Sequence, residues 1–93
     1  MRVIGKSKSS HVGKRLRKLR QVRGLTLRQV AEASIRIARR RHKRAYALRI
    51  SGLYEIEIQA RVPHIYHLYT LSQVYGVGLH QILQWYGIPR GGA

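Results

Sequence analysis

Apolar residues recur at the spacing of an α-helix along most of the chain, and glycines or capping residues separate one such stretch from the next. The first apolar stripe, which Gly24 ends, consists of Val12, Leu16, Leu19 and Val22. No stretch alternates apolar and polar residues with a period of two, and no hairpin turn signal occurs. The pattern therefore predicts an all-α fold of five short helices.

Local signals place the first two helices. Ser9 or Ser10 can cap the first helix. Thr26 and Gln29 have the spacing of a capping box, which predicts the start of the second helix. The buried side of the second helix is predicted to contain Leu27, Val30, Ala31, Ser34 and Ala38.

The same kind of signal predicts three more helices, over about 52–58, 63–75 and 79–86. Ser51 is the expected N-cap of the third, Pro63 suits the first turn of the fourth, and Gly76 ends the fourth. The residues predicted to face inward are Leu53, Ile56, Ile65, Leu68, Leu71, Ser72, Tyr75, Leu79, Ile82, Leu83 and either Trp85 or Tyr86.

The charge of the chain is extreme and unevenly distributed. Its 93 residues carry 19 Lys+Arg against 3 Asp+Glu, for a formal net charge of +16. Such self-repulsion favours a polyanionic partner, and a phosphate backbone is the commonest one. No charged residue occurs from residue 62 to residue 89. Histidines, Gly76 and Gly78 interrupt that stretch, so we interpret it as two amphipathic helices and not as a membrane span.

Composition and motifs also argue against several function classes. The chain has no cysteine, which excludes disulfides and fits a cytoplasmic, nucleoid-associated protein, and no signal peptide is expected. Nucleophile elbow, P-loop and paired-carboxylate signals are missing, so we expect no enzyme, no cofactor and no small-molecule ligand. His64 and His67 have a spacing that can share a metal, but without further ligands we interpret them as surface or polar-contact histidines.

The segments "LRKLRQVRGLTLRQVAEAS" and "ISGLYEIEIQARVPHIYHLYTLSQVYGVGLHQILQWYG" together resemble the Cro/C1-type (XRE-like) helix-turn-helix domain of phage and bacterial repressors. The resemblance covers about residues 13–87 and implies a five-helix, lambda-repressor-like DNA-binding bundle. We therefore expect a flexible basic arm over 1–10, the domain over 11–88 and a tail over 89–93. The implied function is sequence-preferring binding of double-stranded DNA by a transcriptional regulator, with the helix at about 51–58 in the major groove. A non-specific nucleoid-associated or RNA-binding structural protein is the alternative.

The resemblance also implies three sets of site residues. Arg20 and Glu57 form a structural ion pair between the first and third helices. The residues expected to face base edges are Arg49, Ile50, Ser51, Gly52, Tyr54 and Glu55. The residues expected to contact phosphates are Lys14, Arg17, Lys18, Thr26, Arg28, Arg39, Arg40, Arg41, Lys43, Arg44, Arg61 and His64. For Ser51, capping and DNA contact are both open.

Two departures from the family pattern concern the third helix. Gln59 stands where the family usually has glycine, so the turn after the helix must form without glycine's freedom. From Thr26 to Glu57 is 31 positions, where the usual domain needs about nineteen, which leaves an insertion at about 39–50.

Two interpretations of the insertion are open. In one, the second helix continues through Ile37 and Arg41 and the chain returns through "KRAYALRI" as a basic projection along DNA. Neutralising four phosphates there would steepen the salt dependence by about three to four units of log–log slope. In the other, the insertion is a solvated loop whose Tyr46, Ala47 and Leu48 cover an edge of the core. Either way, we expect weak order without DNA.

The C-terminal helix offers the best candidate for self-association. Trp85 and Tyr86 lie in the uncharged part of the chain, where no repulsion between like charges would oppose pairing. We therefore expect a homodimer contact through these two residues.

Overall fold

The computed structural model describes residues 4–88, and the side chains of residues 9–88. In the described range the chain forms helices and no strand. The elements are α1 (Ile4–Val22), α2 (Leu27–Arg40), one 3₁₀ turn (Arg44–Tyr46), α3 (Ile50–Ile58), α4 (Ile65–Tyr75) and α5 (Leu79–Trp85). The predicted all-α class with five helices is confirmed. None of these helices combines the length and apolar character needed to cross a membrane.

Helix α1 begins well before its predicted caps. It starts at Ile4, so residues 4–10, which we expected to belong to a flexible arm, are helical. Ser9 is buried, because it lies on the same face of α1 as Val12 and Leu16 and extends the buried stripe by one turn. The prediction of a cap at Ser9 or Ser10 is therefore wrong. The rest of the arm, residues 1–3, and the tail, 89–93, lie outside the described residues.

The core lies where all five helices meet. Its most deeply buried apolar side chains are Val12, Leu16, Val30, Leu53, Ile56, Leu71, Tyr75 and Ile82. Two predicted inward residues prove to be exposed: Val22 by 75 %, at the end of α1, and Ile65 by 52 %, in the first turn of α4. Both lie at helix ends that extend past the core.

Helices α1 and α3 touch backbone to backbone. An added Cβ on Gly13 of α1 would lie 2.6 Å from the carbonyl oxygen of Ile56 and 2.7 Å from that of Glu57. Those distances are far below van der Waals contact, so only glycine permits this crossing. Gly13 thus sets how closely the end of α3 approaches α1.

Helix α2 begins and continues as predicted. Thr26 Oγ1 accepts from the N–H of Gln29 at 3.1 Å, and Gln29 Oε1 accepts from the N–H of Thr26 at 2.9 Å, which completes the capping box. The helix then runs to Arg40, as the first interpretation of the insertion requires. Val30, Ala31, Ser34 and Ala38 are buried along it, as predicted.

The connection between α2 and α3, residues 41–49, is anchored to both neighbouring helices. Three successive residues are bonded to side chains of α4 and α2: Tyr46 O to Thr70 Oγ1 (2.7 Å), Ala47 O to His67 Nε2 (3.0 Å) and Leu48 N to Ser34 Oγ (2.8 Å). Leu48 is 2 % exposed and belongs to the core, as the second interpretation expected of it. These contacts contradict the expectation of a weakly ordered insertion, because side chains satisfy its buried backbone groups.

The ends of α3 differ from the prediction. The helix begins at Ile50 after Arg49, with no side-chain cap, so Ser51 is its second residue and the predicted Ser51 cap is wrong. Helix α3 thus begins two residues earlier than predicted, directly after the segment in which the N–H of Leu48 donates to Ser34 of α2. Beyond α3, Ala60 adopts φ 59°, a left-handed conformation that favours glycine. The turn after α3 therefore forms without glycine, and its left-handed residue is Ala60, one position after Gln59.

Helix α4 starts two residues after the predicted position and ends at the predicted one. His64 is its N-cap, and His64 Nδ1 accepts from the N–H of His67 at 3.4 Å. Pro63 therefore precedes the helix and does not form its first turn. Gly76 ends α4 with φ 68°, as predicted.

Candidate nucleic-acid interface

Arg20 of α1 and Glu57 of α3 form a bidentate ion pair. Arg20 Nε donates to Glu57 Oε2 at 2.8 Å and Nη2 donates to Oε1 at 2.9 Å, while Nη1 donates to the carbonyl of Leu25 at 2.9 Å. The two side chains are 13 % and 3 % exposed. The hydrogen bonds to Glu57 raise the pKa of Arg20 above its ordinary value. The structure thus brings together the pair that the resemblance implies.

The pair, with Gly13, fixes the inner side of α3 and leaves the opposite side open. Of the residues expected to face bases, Arg49, Ile50, Ser51 and Tyr54 are exposed, while Gly52 and Glu55 are half-buried. No side chain caps the first turn of α3, so its backbone N–H groups can meet an anion. The six residues therefore share the start of one short helix at the molecular surface.

The outer side of α3 is largely apolar, whereas a helix that reads bases by hydrogen bonds alone carries polar side chains there. Ile50, Tyr54 and Ile58 follow at i, i+4 and i+8 and are 39, 46 and 47 % exposed. Ile58 was not among the predicted site residues, although its spacing from Tyr54 could have indicated it. Such a stripe can contact thymine methyl groups but carries few hydrogen-bonding groups.

Glu55 and Arg61 bind each other. Arg61 Nη1 lies 2.8 Å from Glu55 Oε1, and the side chains are 37 % and 40 % exposed. An added Cβ on Gly52 would lie 3.6 Å from Arg61 Nη1, so the guanidinium lies beside the first turn of α3. We expected Glu55 to accept a hydrogen bond from a base and Arg61 to contact a phosphate independently. In the structure the two side chains instead form an ion pair with each other.

Basic residues border the start of α3 on one side. A depression between α2 and α3 is lined by Arg28, Ile35, Arg49, Ile50 and Ser51, among others. It continues past Ile35 and Ala47 into a second depression, bordered by Arg39, His42, Lys43 and Arg44. We call this continuous region the α2–α3 surface. Seven of the predicted phosphate or base contacts meet there: Arg28, Arg39, Lys43, Arg44, Arg49, Ile50 and Ser51. Glu32 is its one acidic residue among the described residues.

Two predicted phosphate contacts, Arg41 and the same Lys43 that borders the α2–α3 surface, lie against tyrosines of α4. The guanidinium of Arg41 lies 5.1 Å from the ring centre of Tyr69 and bonds to its hydroxyl, and Lys43 Nζ lies 5.1 Å from the ring centre of Tyr66. Tyr46 meets both rings edge-on. Arg41 and Lys43 thus help to hold the connection on α4.

The remaining predicted phosphate contacts are scattered. Thr26 and His64 are exposed helix caps, and Arg17 and Arg40 are exposed on α1 and α2. Lys14 and Lys18 line a groove between α1 and α5, beside Trp85. The structure therefore does not gather all twelve predicted phosphate contacts on one surface.

Trp85 and Tyr86 are both partly buried and pack against the core. The guanidinium carbon of Arg15 lies 4.6 Å from the Trp85 ring centre. Burial raises the pKa of Tyr86 to about 12, and its hydroxyl has no hydrogen-bond partner. The homodimer stays a prediction, but its physical reason does not hold at Trp85, because α1 brings positive charge to that surface.

His64 and His67 stack on each other. Their ring centres are 3.8 Å apart, and Nε2 of His67 lies 3.0 Å from the carbonyl oxygen of Ala47. Burial, followed by the neighbouring His64, lowers the pKa of His67 to about 4. Among the described residues, no group of three potential metal ligands gathers. His67 therefore supports the connection as a neutral ring that donates a hydrogen bond.

Comparison with protein-family models, with curated proteins and with solved structures finds no match for this chain.

Proposed function

We propose that this chain binds double-stranded DNA with a sequence preference, as a transcriptional regulator, and places α3 in the major groove. The observation that carries the proposal is the Arg20–Glu57 pair, which holds α3 with its first turn exposed beside the basic α2–α3 surface. The net charge of +16 supports a polyanionic partner.

The dimensions of α3 suit the major groove. An α-helix with its side chains is about 10–12 Å across, and the groove of B-DNA is about 12 Å wide, so a helix such as α3 fits into it. Gly52, in the first turn, has no side chain, so the helix backbone can approach the DNA closely at that position. The long connection does not prevent this arrangement, since the bonds at Tyr46, Ala47 and Leu48 hold it against α4 and α2.

The exposed residues of α3 define the kind of sequence that they would prefer. Arg49 can donate two hydrogen bonds to guanine, and Ser51 can donate to or accept from a base or phosphate. Ile50 and Tyr54 can pack on thymine methyl groups. Arg28, Arg39 and Arg44 would bind the flanking phosphates, which sets register without reading sequence.

A second candidate is non-specific binding of DNA or RNA by a structural protein. The apolar stripe of Ile50, Tyr54 and Ile58 favours it, because such side chains discriminate poorly among base pairs. The charge would then supply nearly all of the affinity.

Competition between a selected duplex and random duplex, measured over a range of salt concentrations, separates the two candidates. The regulator is expected to prefer the selected site by about a thousandfold or more at physiological salt. A ratio near one at every salt concentration would rule out the regulator.

A matched pair of variants tests the basic surface. Arg44→Ala should reduce the log–log salt slope by about one unit, because one phosphate contact is lost. Arg41→Ala should leave the slope almost unchanged, since Tyr69 of α4 holds that guanidinium. Equal slopes for Arg44→Ala and the unmodified protein would contradict the assignment of Arg44.

A further inference from the structure

A groove runs between α1 and α5 and has an apolar floor with a basic rim. Leu19, Val77 and the ring of Trp85 form the floor, and Lys14, Arg15 and Lys18 form the rim, with Gln81 on the α5 side. A smaller depression, lined by His11, Val12 and Arg15, adjoins it on the other side of Trp85. We call the larger cavity the Trp85 groove.

The cations of the Trp85 groove have no acidic partner in the described part of the chain. Glu57 is bound to Arg20 and Glu55 to Arg61, and Glu32 lies on the α2–α3 surface. Lys14, Arg15 and Lys18 therefore stand together uncompensated around an apolar surface. Like charges that line one groove repel one another, and an anion bound among them reduces that repulsion.

We propose that the Trp85 groove binds a small aromatic organic phosphate, a flat apolar ring that carries a phosphate group. The ring would lie on the apolar floor, and the phosphate would be bound by Lys14, Lys18 and Arg15. This inference is independent of DNA binding and revises the expectation that the chain has no small-molecule ligand.

The size and chemistry of the groove fit that class of ligand. Its volume of about 570 Å³ lies within the range of small-molecule sites, about 300–1,000 Å³. Arg15 already lies over the Trp85 ring, and guanidinium and indole groups both stack well on aromatic rings. Lysine and arginine are the common partners of phosphate oxygens.

A second copy of the chain fits the groove less well. A two-fold contact through Trp85 would bring two sets of Lys14, Arg15 and Lys18 against each other. Like charges that oppose each other across an interface destabilise it, so charge favours an anion over a homodimer here.

The chain carries its own reporter, because Trp85 is its single tryptophan. In a ¹⁵N–¹H spectrum, the one indole N–H signal reports on the groove while three probes are titrated: 1-naphthyl phosphate, neutral 1-naphthol and inorganic phosphate. We expect naphthyl phosphate to move the signal saturably, with a Kd about tenfold lower than that of either other probe. Inorganic phosphate binding as tightly would reduce the groove to a general anion surface and overturn the proposal, as would a signal that stays in place.

Charge-removing variants locate the site. Lys18→Gln and Lys14→Gln should each raise the Kd for naphthyl phosphate about fivefold, the effect of losing one partly exposed charge contact. Arg36→Gln removes the same charge from an exposed position of α2 and should change the Kd by less than a factor of two. If all three variants weaken binding equally, net charge and not the groove is responsible. All three substituted side chains are exposed, and the titration of the unmodified chain decides the proposal even if one variant misfolds.

Discussion

Arg20 and Glu57 lie 37 residues apart in the chain, yet two parallel hydrogen bonds of 2.8 and 2.9 Å join them across α1 and α3. The third donor group of Arg20 binds the carbonyl of Leu25, in the turn before α2. One guanidinium thus connects α1, α3 and the start of α2. Since α3 carries the proposed DNA-reading residues, the orientation of the site depends on this pair.

Glu57→Gln should lower the free energy of unfolding by about 3 kcal/mol, because it leaves a charged guanidinium without its carboxylate. The value lies at the lower end for buried pairs, since Arg20 keeps 13 % of its side chain in water. Chemical denaturation measures the loss. Glu32→Gln, on the exposed side of α2, is the control and should stay within about 0.5 kcal/mol of the unmodified protein. Equal stabilities of the two variants would show that the pair does not hold α3.

Gly13→Ala should destabilise the protein, although alanine is normally better than glycine in a helix by about 1 kcal/mol. The new Cβ would lie 2.6 Å from a backbone oxygen of α3, and backbone cannot move aside cheaply. Gly52→Ala is the matched control in another helix, because its Cβ would meet Arg61 at an ordinary 3.6 Å. Thermal unfolding should therefore give a lower midpoint for Gly13→Ala and an unchanged or higher one for Gly52→Ala. A higher midpoint for both would contradict the close crossing.

Ala60→Gly should stabilise the protein by about 1 kcal/mol, the approximate penalty of a non-glycine residue in the left-handed region. Ala60 holds φ 59° in the turn that follows α3. The reverse change at Gly24, whose φ is 69° and whose Cβ would meet no atom, should destabilise by a similar amount. Urea midpoints that move in the same direction for both variants would refute this explanation.

His67 should make the fold less stable in mild acid. Its pKa is lowered to about 4 in the folded chain against an ordinary value of 6.5, so the unfolded state binds more protons between these values. Stability is therefore complete above about pH 6.5 and falls as the pH decreases toward 4. The groups facing the ring are His64, which stacks on it, Arg61 and the carbonyl of Ala47.

Thermal unfolding from pH 7 to pH 4 tests this in a pair of variants. His67→Gln should show a shallower loss of midpoint with falling pH than the unmodified protein. His80→Gln, at an exposed position of α5, should follow the unmodified curve. Identical curves for His67→Gln and the unmodified chain would exclude His67 as the cause.

Features with local causes were predictable from the sequence. The capping box of Thr26 and Gln29 needs only residues three apart, and the glycine that ends α4 at residue 76 needs only its own backbone. The apolar spacing identified Leu53 and Ile56 as core residues for the same reason. The pairing of Arg20 with Glu57 is not local, and only the resemblance to a family indicated it.

Features that depend on distant contacts were not predictable in this way. Ser51 has the chemistry of a cap, but α3 begins two residues earlier than its position predicts, after Leu48 has bonded to Ser34 of the distant helix α2. The C-terminal stretch around Trp85 is itself uncharged, so it did not indicate that the surroundings of Trp85 are basic. Their charge comes from Arg15 of α1. Gly13 has a low helix propensity, and its role depends on the carbonyls of α3 that lie against it, which the sequence does not show.

The central claim is that the exposed start of α3 contacts base pairs of duplex DNA, and amide chemical-shift mapping tests it most directly. A ¹⁵N-labelled chain is titrated with a duplex taken from site selection, and shifts are followed residue by residue. We expect the largest changes at residues 49–55, with smaller ones at Arg28, Arg39 and Arg44. Unchanged signals at residues 49–55 in a saturated complex, with the changes confined to α4 and α5, would contradict the claim.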